Sequence, residues 1–139
     1  MADTAFQPPV NPRLRPLVGW PLFAVPDAAG TLGWPTLEVS VRDALRVILA
    51  TRPGEQLMRP DFGGGLDALL HAPNTLETRR RVRDLVQQSI ERWEKRIALD
   101  RVEVWEVEGD PTQLRVEIGY RLIRTGAAAS MALAMQLEA

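Results

Sequence analysis

Reactive chemistry in this chain would have to come from one histidine, one run of three glycines and eighteen carboxylates. His71 is the sole candidate base for a Ser/His/Asp nucleophilic site. It stands beside Ala72-Pro73 at the end of an expected short helix, where a favourable charge near the last carbonyls is the simpler role. Gly63-Gly64-Gly65 has the composition of a phosphate cradle, but no Lys-Ser/Thr follows, so the cation and hydroxyl of a P-loop are missing. Turn geometry at positive φ accounts for the glycines. Glycoside hydrolysis needs two carboxyl groups across one cleft, one with a raised pKa, and no Asp or Glu lies in an apolar run that would bury it. If one carboxylate did act, Glu55 is the candidate, held in a concave loop by the Pro53-Gly54 turn. The absence of cysteine removes disulfides, thiol nucleophiles and thiolate metal sites, and a single histidine removes HExxH zinc chemistry. No catalytic residue, metal or cofactor is expected.

The elements that must position any site fit in 139 residues, the size of one domain. Apolar residues are 45% and charged residues 25%, close to the globular average, which excludes wholesale disorder. A net charge of −1 argues against a general nucleic-acid binder. No apolar run is long enough to span a membrane, and the opening MADTAFQPPVNPR lacks the pattern of a signal peptide. Lys95 is the sole lysine; the other bases are Arg, the better residue for bidentate pairs at interfaces. Seven bases face four acids over 74–97, and four face seven over 98–139, so a basic helical segment precedes an acidic one. The run Arg79-Arg80-Arg81-Val82-Arg83 is either a patch for an acidic partner or a solvated helix face.

Residues 1–17, with Pro8, Pro9, Pro12 and Pro16, predict an extended N-terminal arm, and 18–139 a single domain. Residues 18–39 form a loop-rich segment in which Trp20 and Trp34 occupy matching G-W-P triplets. A helix is expected from Ser40, with Ser40 and Asp43 as a capping-box variant and Val41, Leu45, Ile48 and Leu49 on one face. Thr51-Arg52-Pro53-Gly54 stops it. A short helix over Leu66–His71 follows, then a long one from Asn74 to about Glu94 with Val82, Leu85, Val86, Ile90 and Trp93 as its stripe. Three strands finish the chain. The first, 101–108, changes phase between Val104 and Trp105, which predicts a bulge or burial on both faces. Gly109-Asp110-Pro111 turns into the alternation Leu114, Val116, Ile118, Tyr120, Leu122, and a last strand follows Gly126 with Met131, Leu133, Met135 and Leu137 on one face. The fold class is α+β: two main helices packed on a small antiparallel sheet.

Residues 127–137 carry no charge, although edge strands are normally blunted by charge. The residues leave two occupants open for this edge: a partner's strand added through main-chain hydrogen bonds, or the N-terminal arm of the same chain. Ala132 and Ala134 are the positions whose outward amides would carry such pairing, one or the other depending on register.

The stretch Ser40-Val41-Arg42-Asp43-Ala44-Leu45-Arg46-Val47-Ile48-Leu49-Ala50-Thr51-Arg52-Pro53-Gly54-Glu55 resembles the opening of the gene-25-like baseplate wedge family. In that family a helix runs into a T-x-x-G-E-R turn followed by M-x-P-x-F-G. Gly54 and Glu55 belong to the first motif, with Gln56 in place of Arg, and Met58, Pro60, Phe62 and Gly63 match the second. The family's Glu-Pro-Arg signature after a helix-terminal Trp stands here as Trp93-Glu94-Lys95-Arg96, with Lys95 replacing proline. Gly19-Trp20-Pro21-Leu22-Phe23 is similar to the family's N-terminal aromatic-proline segment, and the similarity covers about residues 18–125.

The resemblance implies a structural role in a contractile phage tail, type VI secretion system or extracellular injection particle. Members link the baseplate wedge to the first sheath ring and initiate the sheath. The implied partners are wedge proteins and the sheath subunit, with inner tube or spike-hub proteins as further candidates, repeated six-fold around the baseplate. Assembly would be cytoplasmic, before the particle is complete. The resemblance also favours strand addition at the last strand. Glu94 and Arg96 are expected at a partner interface: a helix ending there lets them diverge toward different partners, with Arg96 making a bidentate carboxylate pair. The alternative for them is a local surface pair. Two other functions stay open through the family, a lysozyme-like tail glycosidase and a regulatory anti-adaptor of the same domain type.

Overall fold

The computed structural model describes residues 22, 23 and 25–137; the expected arm over 1–17, and Trp20, lie outside them. Helix α1 spans Leu37–Ala50 and begins three residues earlier than expected, because Thr36 is the cap: its hydroxyl accepts from the Val39 N–H (3.4 Å). Ser40 is therefore inside the helix and buried, on the same side as Val41, Leu45, Ile48 and Leu49. The expected short helix at 66–71 is a single 3-10 turn, Leu66–Leu69.

Helix α2 spans Leu76–Trp93 and is capped by Thr75, whose Oγ accepts from Thr78 N–H (3.1 Å). Asn74, the expected cap, instead ties the helix start to the sheet: its amide donates to the Pro111 carbonyl (2.5 Å) and its oxygen accepts from Arg79 Nε (2.8 Å). Val82, Val86 and Ile90 are buried along the helix, while Leu85 and Trp93 are half-buried.

Strands β1 (Ile97–Val107), β2 (Asp110–Leu122) and β3 (Ala128–Gln136) form an antiparallel meander in spatial order β1-β2-β3. The first hairpin turns at Glu108-Gly109 with Gly109 at φ +87°, one residue before the expected turn, so Pro111 falls inside β2. The irregularities in β1 lie between Leu99 and Arg101 and between Glu106 and Val107, not at Val104–Trp105. Trp105 keeps the alternation and is partly exposed on the outer face. The inner-face residues Leu114, Val116, Ile118, Tyr120 and Leu122 are buried under the two helices. The outer face is polar, with Arg101 paired to Glu117 (3.1 Å) and Arg121 to Asp100 (3.2 Å). This is the expected α+β layering.

Candidate functional site

At the end of α2 the backbone leaves the helix at Glu94 (φ −112°, ψ 92°), although Lys95 would permit another helical residue. The Glu94 side chain is buried at this point. Its Oε1 accepts from the Arg96 main-chain N–H (3.1 Å) and from Arg96 Nε (2.8 Å), and its Oε2 accepts from Arg96 Nη2 (2.6 Å). Glu94 and Arg96 therefore do not diverge toward separate partners; they bind each other in a fork-to-fork pair. Arg96 Nη1 also donates to Ser40 Oγ (3.0 Å), which anchors the junction to α1. The hydrogen bond that Arg96 donates to Glu94 raises the already high pKa of Arg96, overcoming the opposing effect of burial. Ser40 is the member of this cluster that sequence reasoning missed; its one signal was a hydroxyl beside the apolar stripe.

The motif turn packs against this junction. Glu55 works locally: its carboxylate accepts from Arg52 N–H (2.9 Å) and its own N–H donates to the Arg52 carbonyl (3.0 Å). Gly54 N–H donates to the Pro60 carbonyl (2.6 Å), closing the loop at its base. Phe62 is buried edge-on against Trp93, with ring centroids 5.2 Å apart, and the Arg59 guanidinium lies 4.1 Å from the Phe62 centroid. The glycine run serves α1 rather than a phosphate. Gly64 N–H donates to Ile48 O (2.7 Å) and Gly65 N–H to Thr51 O (3.3 Å), satisfying carbonyls that a helix end leaves open. Gly63, at φ +119°, lies so close to the Thr51 carbonyl that any Cβ would overlap it. A groove of about 360 Å³, lined by Val47, Gln56, Arg59, Phe62, Trp93 and Arg96, joins the turn to the ion pair.

The third feature is the edge of β3, which pairs with β2 on one side and with no other strand among the described residues. Leu137 N–H donates to Thr112 O (2.7 Å) and Leu122 N–H to Ala127 O (2.9 Å), both in the register that sets Leu133 against Val116. In such a ladder a residue's N–H and C=O point to the same side. Odd-numbered residues of β3 therefore bond β2, and Ser130, Ala132 and Ala134 all present their main-chain groups to the open edge. Ala132 and Ala134 are not alternatives; they share the outward parity. Beneath the edge runs an apolar groove of about 530 Å³, walled by Leu49, Leu66, Leu70, Met131, Leu133 and Met135.

His71 and Glu55 are both exposed: His71 lies two residues past the 3-10 turn, and Glu55 closes a loop through the Arg52 N–H. Among the described residues no group of three or more His, Asp or Glu could hold a metal, and no helix is long and apolar enough to cross a membrane.

The family model of baseplate wedge protein gp25 matches residues 36–127, which includes α1, the motif turn, α2 and both β1 and β2. A protein of Geobacter sulfurreducens provisionally named a tail lysozyme is 27% identical, with a TM-score of 0.71 over 78% of this chain and 98% of that one. A chain of the anti-feeding prophage baseplate is 26% identical, with a TM-score of 0.67 over 76% of this chain and 82% of its own length. A chain of the pyocin R2 baseplate after contraction shares the fold at 22% identity and a TM-score of 0.51, covering 83% and 99%. No curated protein matches the chain.

Proposed function

The chain belongs to the baseplate wedge protein gp25 family, structural components of contractile injection baseplates, and on that premise we propose that it joins the wedge to the first sheath ring and starts the sheath by strand pairing. The observation that carries this reading is the β3 edge. Three successive outward positions, Ser130, Ala132 and Ala134, offer main-chain donors and acceptors that pair with no other strand among the described residues, on a strand without a single charge. Such an edge is what a protein normally avoids presenting, and strand addition from a sheath subunit is the use that fits a baseplate protein. The Glu94–Arg96 junction and the motif turn form the wedge-facing side, with assembly in the cytoplasm before the particle is complete. The test compares baseplates assembled with and without this chain after addition of sheath subunit. Sheath should fail to grow where the chain is missing, and normal sheath on such baseplates would overturn the proposal.

The name carried by the Geobacter protein favours a second reading, peptidoglycan hydrolysis. A glycosidase needs a carboxyl group whose environment raises its pKa. Glu55 is exposed and already holds the Arg52 amide, and the buried Glu94 is occupied by Arg96. Purified protein should leave peptidoglycan turbidity unchanged; clearing that Glu55→Gln abolishes would establish the enzyme instead.

A further inference from the structure

Leu57 and Met58, at the tip of the motif turn, are 94% and 97% exposed, two adjacent large apolar side chains left almost uncovered by the described residues. Met58 is also the sole non-glycine at positive φ among the described residues, at +69°. An L-residue with a long side chain resists that conformation, and the strain persists only where surrounding structure imposes it. Here the imposition is visible. The loop base is closed by Gly54 N–H to Pro60 O (2.6 Å), the tip by Arg59 N–H to Gln56 O (3.3 Å), and Arg59 is clamped on Phe62 and Trp93 at 4.1 and 5.2 Å. The scaffold thus holds Met58 in a costly backbone state and recovers nothing from its side chain. Arg59, the one charge within the tip, has no carboxylate partner among the described residues.

We propose that the 56–59 turn is a rigid docking knob: Leu57 and Met58 enter an apolar socket on a neighbouring baseplate protein, and a carboxylate at the socket rim pairs with Arg59. The inference rests on the baseplate assignment and adds a second contact surface to it. The knob shares its groove with the Glu94–Arg96 junction through Gln56, Arg59, Phe62 and Trp93, and shares no residue with the groove under β3. On the wedge-facing assignment proposed above, the occupant is a wedge-side protein, not the sheath. Apolar burial would supply the affinity, and the charge on Arg59 would select an acidic rim over a basic one.

The test places a diazirine amino acid at position 58 in baseplates assembled from the full protein set, with Met58→Gly, Leu57→Asp and Arg59→Gln as companions. Photolysis should link position 58 to a baseplate protein other than the sheath subunit. Met58→Gly relieves the strain while removing the side chain, so its melting temperature should hold or rise while baseplate occupancy falls about tenfold, the scale of a lost interface anchor. Leu57→Asp should lower occupancy by at least as much, and Arg59→Gln by less. Crosslinks to sheath or to a second copy of this chain, or folded Met58→Gly and Leu57→Asp at wild-type occupancy, overturn the knob while leaving the baseplate assignment standing. Wild-type protein absent from the baseplates overturns both.

Discussion

Glu94 and Arg96 lie two residues apart and bind each other through a bidentate pair at 2.8 and 2.6 Å, a geometry that no continuous helix allows. The pair exists because the chain becomes extended at residue 94, and once formed it fixes where α2 ends. Through the bond from Arg96 to Ser40 it also ties α1 to the junction that leads into β1.

Removing Arg96 should therefore damage the fold, not just a surface. Arg96→Met leaves the Glu94 carboxylate buried with little but a main-chain amide, and should cost about 1–3 kcal/mol in urea denaturation, the usual range for orphaning a hydrogen-bonded charge. Exchanging the two charges should not restore stability, since a guanidinium at position 94 cannot accept the Arg96 N–H. Wild-type stability in either variant would mean the pair is only a surface contact.

Gly63 and Gly54 both sit at positive φ but differ in what surrounds them. Gly54→Ala, at φ +90° with open space around it, should cost about 1 kcal/mol of backbone strain alone. Gly63→Ala adds overlap with the Thr51 carbonyl and should cost more than about 3 kcal/mol or abolish folding. Equal destabilisation of the two, measured by thermal melting, would contradict the packing of the glycine run on α1.

Tyr120 is the one tyrosine of the chain. Burial holds its phenol proton above the ordinary range, against the pull of the Arg42 guanidinium. The unfolded chain releases that proton near about pH 10. Below that value the contribution to stability is fully present; above it the folded state holds more protons, and stability falls as pH rises toward the folded pKa, by up to about 1.4 kcal/mol per unit. Tyrosinate absorbance should thus appear together with loss of circular dichroism, and Tyr120→Phe should flatten the alkaline fall. Tyrosinate forming near its ordinary pKa in a fully folded protein would contradict this.

Periodicity made much of this fold legible. The stripe Val41, Leu45, Ile48, Leu49 and the alternation from Leu114 to Leu122 repeat at helical and strand periods over enough residues to fix their faces. Ser40 was misread as a cap because its partner, Arg96, is 56 residues away and no local pattern reveals it. The Glu94–Arg96 pair was open only as the alternative, a local surface pair, because its buried bidentate geometry depends on the helix ending at Trp93. The uncharged β3 was visible as an edge, and Ala132 and Ala134 share a parity by spacing alone, but only the ladder shows that this parity is the outward one. Met58 gave no sign of its backbone, since a left-handed turn position ordinarily selects glycine or asparagine.

The ladder phase predicts opposite outcomes for neighbouring prolines. Leu133→Pro removes an N–H that bonds β2 and should cost about 3 kcal/mol or more. Ala132→Pro and Ala134→Pro remove only edge donors and should leave the isolated protein folded, within about 1–2 kcal/mol of wild type by urea denaturation. Folding loss in the alanine variants with a tolerant Leu133→Pro would reverse the assigned parity.

Sheath growth on baseplates carrying Ala132→Pro or Ala134→Pro tests the central claim most directly, read by electron microscopy beside the occupancy of this chain in the same particles. Both variants should enter the baseplate at wild-type levels and leave it bare of sheath, because the edge that would accept the first sheath strand has lost a donor and gained a ring in its path. Sheath of normal length on both, with each variant present at full occupancy, would show that β3 is not where the sheath begins.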